Sequence, residues 1–116
     1  MKTTISRNIN DYIVKSNQKE WQPLIEKGTH YEGISVISLR YDEEKGRFTT
    51  ILLKFEPGAS YPYHNHPAGE ELLIMNGEAI IAGATLKEGD YLYTPANFKH
   101  SVKSETGCTI FFIVPE

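Results

Sequence analysis

The chain has very little cysteine, tryptophan and methionine, and it lacks a long hydrophobic run. Among its 116 residues there are one cysteine, one tryptophan and two methionines. A single cysteine, Cys108, excludes an intrachain disulfide framework, so we expect a reducing, cytoplasmic location. No stretch of about 18 apolar residues occurs, which argues against a membrane-spanning helix. The first 18 residues also lack the apolar core of a secretion signal.

Positive charge is scarce as well. The chain has 12 lysines and arginines against 15 aspartates and glutamates, which gives a net charge of −3. Because recognition of a phosphate backbone needs a basic face, we expect no nucleic-acid partner. The lack of a long apolar run likewise leads us to expect no membrane partner. With 116 residues, of which 40% are hydrophobic, the chain is long enough for one globular domain and little else.

Short β-rich runs, broken by glycine and proline, fill most of the chain. Residues 34–41 and 48–55 each suit a strand, and a polar turn with Gly46 separates them. Residues 91–94 suit another strand, and the nearly continuous apolar run 108–114 suits a buried one. Some eight short strands at close spacing predict an all-β sandwich or barrel.

Two further features concern the organisation of this barrel. Asn76-Gly77 lies between two apolar runs, and this pair predicts a hairpin turn because both residues adopt positive φ easily. The first thirty residues are less regular, with either a strand at residues 12–14 or a short helix at residues 6–14. We therefore expect residues 1–30 to form an N-terminal arm, which packs on the barrel or on a partner, and residues 31–116 to form the barrel.

Three histidines and one glutamate stand at positions that suit one metal ion. In an extended segment His64 and His66 point to the same face, and Glu70 opens the next strand after a turn. An inward carboxylate is costly unless a cation accompanies it, and imidazole with carboxylate suits borderline divalent metals. Alone, an HxH pair or the pair Glu70-Glu71 is weak evidence, and His30 lies outside any pattern. The combination favours a metal site, whose candidate ligands are His64, His66, Glu70 and His100.

These residues resemble the two motifs of the cupin family. The spacing of Gly58, His64, His66, Glu70 and Gly77 matches the first motif, and a second stretch resembles the other. In that stretch, which contains Gly89, Pro95 and His100, Asn97 replaces a glycine and Ser104 replaces an asparagine. Asparagine tolerates the left-handed conformation better than most residues, so we expect the turn to survive.

The chain is most similar to the ChrR-like cupins, as judged from residues 55–58 (FEPG), residues 64–71 (HNHPAGEE) and Gly107-Cys108. The resemblance implies a cupin jelly-roll β-barrel and a metal bound by the four candidate ligands. In the regulator that names the subgroup, this domain follows a zinc-containing domain that binds a sigma factor. The zinc signature of that other domain does not occur here, so we expect no anti-sigma function.

The resemblance also bears on function. Some related cupins are metal-dependent dioxygenases, so we expect a divalent-metal-binding cupin that acts on a small carbonyl or diketone-type substrate. The alternative is a non-catalytic zinc-binding sensor or small-molecule-binding module. The metal is zinc, iron, nickel, manganese or copper, with zinc or iron favoured, and we expect a homodimer by analogy. No catalytic residue is evident, and Cys108 is predicted to be a small buried residue rather than an oxidation sensor. Aromatic residues near the ligands are candidates for lining a pocket: Tyr61, Tyr63, Tyr91, Tyr93 and Phe98.

Overall fold

The computed structural model describes residues 5–115, which form nine β-strands after two short 3-10 turns. The turns are Ile9–Tyr12 and Ser16–Gln18. The strands are β1 Gln22–Glu26, β2 Thr29–Asp42, β3 Arg47–Phe55, β4 Ser60–His64, β5 Glu70–Ile81, β6 Ala84–Lys87, β7 Tyr91–Thr94, β8 His100–Lys103 and β9 Cys108–Ile113. Within the described residues no helix is long and apolar enough to cross a membrane.

The strands form two antiparallel sheets that share β5. One sheet has the order β1-β2-β3-β9-β5-β7, and in the other β5 pairs with β6 and β8, and β8 pairs with β4. Since β5 belongs to both sheets, the whole sheet curls around one apolar interior. The predicted all-β jelly-roll architecture is confirmed, with one strand more than the sequence indicated.

Alternate residues of the central strands form the core, as the period of two in a strand requires. In β9 every second residue from Cys108 is buried, and Ile110 is fully inaccessible. In β5 the buried residues Leu72 and Ile74 share their face with Glu70. The first carboxylate of β5 therefore points into the barrel, while the alternate residues of the strand point away from it.

The hairpin predicted at Asn76-Gly77 is wrong. Strand β5 runs through these residues without a turn, and its register against β9 shifts between Ile74 and Asn76. Gly77 has φ 78°, and a Cβ placed on it would lie 2.2 Å from the backbone oxygen of Gly107. At this point β5 stops pairing with β9 and begins to pair with β6 in the second sheet. Glycine is needed there because the strand forms a bulge and another backbone segment approaches closely. The turn occurs instead at residues 82–83, between the paired residues Ile81 and Ala84.

The N-terminal segment contacts the barrel at a few points. The predicted strand at residues 12–14 does not form, and a single 3-10 turn occupies part of the 6–14 range. Lys19 Nζ donates to the Ser38 backbone oxygen at 3.1 Å, and Lys54 lies 5.0 Å from the centre of the Trp21 ring. From Gln22 onwards the chain belongs to the sheet as β1. Packing of the preceding arm on a partner stays a prediction.

Candidate metal centre

The candidate ligands lie where several strands begin or end at the same end of the barrel. His64 is the last residue of β4 and His100 the first of β8, and the two are paired across these antiparallel strands. Glu70 is the first residue of β5 and faces inward, as described above. His66 lies in the connection between β4 and β5. The four positions are thus brought together by strand pairing and one short loop.

Backbone contacts hold the His66 loop against the turn before β8. The backbone oxygen of His66 accepts hydrogen bonds from the amides of Gly69, at 3.0 Å, and Asn97, at 3.1 Å. Asn65 Nδ2 also donates to Asn97 Oδ1 at 3.1 Å. Asn97 has φ 67°, so the left-handed turn survives with asparagine in place of glycine, as predicted. Gly69 has no substitute, because a Cβ there would lie 2.7 Å from the Thr94 backbone oxygen.

The four side chains converge within the structure. One ligand atom from each of His64, His66, Glu70 and His100 lies within 4.8 Å of the corresponding atoms of the other three. Glu70 Oε2 is 3.0 Å from His66 Nε2, and Glu70 Oε1 is 3.0 Å from His100 Nε2. The side chains of Glu70 and His100 are only 3% and 0% exposed. Such a cluster could hold one metal ion.

The hydrogen bonding of the cluster is incomplete, and this fits a cation. Glu70 Oε1 and His100 Nε2 lie at contact distance but lack the direction of a hydrogen bond, and neither has another hydrogen-bond partner among residues 5–115. A buried, unsatisfied carboxylate oxygen costs free energy that a bound cation removes. His64 Nδ1 lies 2.8 Å from the Pro62 backbone oxygen, which can only accept, so Nδ1 carries the proton. The lone pair of His64 Nε2 is therefore available to a metal.

Two pKa shifts reflect the same geometry. Burial would raise the pKa of Glu70, but the imidazole nitrogens of His100 and His66 outweigh it and lower the pKa to about 2. Burial lowers the pKa of His64 below its ordinary value of 6.5, and the neighbouring His66 and His100 add to this. The ionised carboxylate and the neutral imidazole are the forms that bind a metal.

A cavity of about 80 Å³ adjoins the cluster, and His64, His66 and Glu70 form part of its wall. Most of the remaining wall is apolar, and it consists of Leu24, Ile51, Leu53, Phe55, Val102, Phe112 and Val114. Three other polar side chains complete it, namely those of Glu26, Arg47 and Tyr61. The candidate metal centre therefore faces a small, largely apolar space.

Of the five aromatic residues predicted to line a pocket, the structure places only Tyr61 on this wall. Its ring lies 4.7 Å from that of His64, and its hydroxyl donates to Glu26 Oε1 at 2.5 Å. Burial, followed by the nearby Glu26 carboxylate, raises the pKa of Tyr61 above its ordinary value. The other four aromatic residues are between 46% and 70% exposed and are absent from the cavity wall: Tyr63, Tyr91, Tyr93 and Phe98.

Strand pairing explains why two of these tyrosines point outward. Leu72, which faces the core, is paired with Leu92. Tyr91 and Tyr93 occupy the alternate positions of β7, and Tyr93 pairs with Glu71. The Tyr91 hydroxyl donates to Glu71 Oε1 at 2.6 Å, on the outer face of the sheet. The prediction that these tyrosines line the cavity is therefore not supported by the structure.

The sequence did not single out Glu26 and Arg47, which the structure places on the cavity wall. Arg47 is the first residue of β3 and lies on the same face as Ile51, Leu53 and Phe55. A strict alternation count from Phe55 back to residue 47 would have found it. Glu26 belongs to β1, in a region whose residue pattern predicts no clear strand, so no comparable signal was available.

Comparison with protein families shows where the chain belongs. The model of the ChrR cupin-like domain matches residues 10–114, which is most of the chain, so the chain belongs to this family. A curated relative is the DNA damage-repair/toleration protein DRT102 of Arabidopsis thaliana, 35% identical over 71 residues. The match covers 56% of this chain and 23% of that protein, so the chain corresponds to about a quarter of its length.

Solved structures with the same fold include two proteins described as dioxygenases. A proposed acetylacetone dioxygenase from Methylibium petroleiphilum PM1 has a TM-score of 0.80 and 20% identity, over 98% of this chain and 81% of that one. An acetylacetone dioxygenase from Acinetobacter johnsonii has a TM-score of 0.75 and 16% identity, over 97% of this chain and 78% of that one. At this identity the likeness establishes the fold alone.

Proposed function

We propose that this member of the ChrR cupin-like family binds one divalent metal ion and catalyses a dioxygenase-type reaction on a small carbonyl or diketone compound. The proposed ligands are His64, His66, Glu70 and His100. The observation that carries the proposal is the buried Glu70 carboxylate, whose Oε1 has no hydrogen-bond partner within residues 5–115 and which three imidazoles surround. This arrangement faces a cavity that would admit a small molecule.

The donor set suits zinc, iron, nickel, manganese or copper, and we favour zinc or iron. A bound divalent ion would supply Lewis acidity, and a redox-active one would also supply the electron chemistry that a dioxygenase requires. The chain itself orients the ligands, since the Pro62 carbonyl fixes the tautomer of His64 and the Tyr61 ring lies against its imidazole.

The choice of reaction rests on analogy and on the shape of the site. Two proteins of the same fold carry the description acetylacetone dioxygenase, and both cover nearly all of this chain. A cavity of about 80 Å³ with mostly apolar walls suits a compact carbonyl compound. A dioxygenase consumes one O₂ per turnover and transfers both oxygen atoms to the products, so oxygen uptake should match substrate loss one to one.

A second candidate is a non-catalytic zinc-binding sensor or small-molecule-binding module. It is favoured by the number of donors, because four protein ligands can fill the tetrahedral shell of zinc and leave no open position. Metal analysis of the purified protein and oxygen uptake with acetylacetone separate the two candidates. Iron with oxygen consumption supports the enzyme, whereas firmly held zinc without turnover supports the sensor.

The ligand set itself is tested with a matched pair of histidine variants. His66→Ala removes a proposed ligand, and His30→Ala removes the one histidine outside the cluster. We expect His66→Ala to abolish stoichiometric metal binding while circular dichroism still shows the β-fold, and His30→Ala to bind metal like the wild type. Full metal occupancy in His66→Ala would refute the proposed ligand set.

We also propose that the chain forms a homodimer. Several large apolar side chains of the N-terminal arm are exposed, including Ile5, Ile9 and Ile13, and burial of such a surface favours association. Light scattering should give twice the chain mass of 13.2 kDa. A mass of one chain at micromolar concentration would contradict this proposal without affecting the metal site.

A further inference from the structure

Arg47 is the one permanently cationic side chain on the cavity wall, which also contains His64, His66 and Glu70. Its Nη1 donates to the Val114 backbone oxygen at 2.8 Å, which holds the guanidinium at the wall. Across residues 5–115 the structure assigns it no ion pair. A guanidinium has five N–H donors in a rigid fork, so most of them stay available to another acceptor.

Only one other charged side chain apart from the candidate ligands reaches this wall, and it is an anion. Glu26 accepts a hydrogen bond from the Tyr61 hydroxyl through Oε1, so part of its acceptor capacity is used within the protein. It is not ion-paired with Arg47, and the rest of the wall is apolar or belongs to the metal cluster. Among the chain's own lining residues, Arg47 is therefore the group that would attract an anionic ligand.

The sum of the charges around the cavity also favours an anionic ligand. Glu26 and Glu70 each carry one negative charge, Arg47 carries one positive charge, and a divalent metal adds two. With the metal bound and the histidines neutral, one positive charge is left over. A neutral carbonyl compound would leave this charge uncompensated beside the largely apolar wall, whereas a monoanion would neutralise it.

We infer that the ligand of this cavity is a small monocarboxylate that also bears a carbonyl group, as a short 2-oxo acid does, and that Arg47 binds its carboxylate. The inference rests on the function proposed above and narrows its substrate class. A cavity of about 80 Å³ has room for a ligand the size of pyruvate. Arginine suits this role because its fork matches the two oxygens of a carboxylate.

The test compares two ligands of nearly equal shape. Pyruvate and butane-2,3-dione differ in that a carboxylate replaces an acetyl group, so their affinities isolate the contribution of the charge. Both are titrated calorimetrically into zinc-loaded protein, so the readout is binding and not activity. The variants are Arg47→Gln, Arg47→Lys and the control Arg40→Gln, whose side chain is 66% exposed and does not line the cavity. Metal content and thermal unfolding are recorded for each.

We expect the wild type to bind pyruvate at least about tenfold more tightly than butane-2,3-dione. Arg47→Gln should lose about tenfold or more for pyruvate and nothing for butane-2,3-dione. Arg47→Lys should keep part of the preference, because it retains the charge but not the fork, and Arg40→Gln should match the wild type. Metal-free protein should bind pyruvate poorly, since its cavity wall is net negative.

Three results would overturn the inference. These are equal affinity of the wild type for the two ligands, undetectable binding of pyruvate, or wild-type affinity for pyruvate in Arg47→Gln. If Arg47→Gln does not fold, the ligand comparison in the wild type and the Arg47→Lys variant decide the question. Failure to take up zinc would instead refute the proposed metal site, so the two failures are distinguishable.

Discussion

If Glu70 is a metal ligand as proposed, replacing it by glutamine should remove most of the stability that a bound metal would confer. Glutamine keeps the shape of glutamate, so the change is confined to the charge and to one anionic ligand atom. The side chain is 3% exposed, and Oε1 has no hydrogen-bond partner in the described part of the chain. A cation held there would contact the ionised carboxylate directly, and a neutral amide would be a weaker ligand.

The magnitude follows from linkage between binding and unfolding. A metal at a thousand times its Kd stabilises the folded state by about 4 kcal/mol. With an unfolding entropy of about 2.1 cal/mol/K per residue, 116 residues give a shift of about 4 °C per kcal/mol, and so a total shift of about 17 °C. Loss of the Glu70 ligand should weaken binding by at least about a hundredfold. The residual stabilisation is then about 1.4 kcal/mol, or about 6 °C.

The assay is thermal unfolding with and without zinc, followed by circular dichroism at one fixed zinc concentration. Glu71→Gln is the matched control, because the neighbouring glutamate lies on the outer face and bonds to Tyr91. We expect the control to keep the full zinc-induced shift. A Glu70→Gln variant that retains the wild-type shift, or equal losses in both variants, would refute the placement of the metal at Glu70.

Three further predictions concern the fold and the metal-free protein. Gly77→Ala should destabilise the protein by at least about 3 kcal/mol in urea unfolding, because residue 77 has φ 78° and its Cβ would lie 2.2 Å from the Gly107 backbone oxygen. The control Gly89→Ala has open space around its Cβ and should lose only about 1–2 kcal/mol. Similar losses in the two variants would contradict the close approach at Gly77. In metal-free protein the pKa of Glu70 is about 2 against 4.5 in the unfolded chain, so stability present above pH 4.5 should fall as the pH drops towards 2. This loss is measured by urea unfolding relative to Glu70→Gln, and a difference between the two proteins that does not change with pH would count against it. Cys108 is 4% exposed and burial raises the pKa of its thiol, so it should react with a thiol reagent only after unfolding, and rapid reaction of the native protein would contradict its burial.

The sequence predicted those features that depend on local alternation and on motif spacing. Strands β3, β7 and β9 were predicted nearly to their observed bounds because each combines β-forming residues with turn residues at its ends. The same alternation predicted that one of the adjacent residues Glu70 and Glu71 points inward, and the structure shows that it is Glu70. The spacing of His64, His66, Glu70 and His100 singled out four residues that the fold brings together. Their role as metal ligands stays a prediction.

The errors arose where distant parts of the chain decide the local structure. Asn76-Gly77 has the composition of a hairpin turn, yet the approach of the Gly107 backbone makes it a bulge within one long strand. No local pattern reveals that approach, because Gly107 belongs to the connection before β9. The hairpin turn is formed instead by Ala82 and Gly83, which both have positive φ although only one is glycine.

The composition of the cavity wall also depends on distant parts of the chain, and it bears on function. Tyrosines next to the ligands in sequence were expected to line the pocket, but pairing of β7 with β5 turns Tyr91 and Tyr93 outward. The polar wall is completed from distant strands, by Glu26 of β1 and Arg47 of β3. Since the cupin motifs contain neither residue, members of the family can share the four donors and differ in the charge of the cavity. Specificity in this chain should therefore depend on Arg47 and Glu26 rather than on the motif residues.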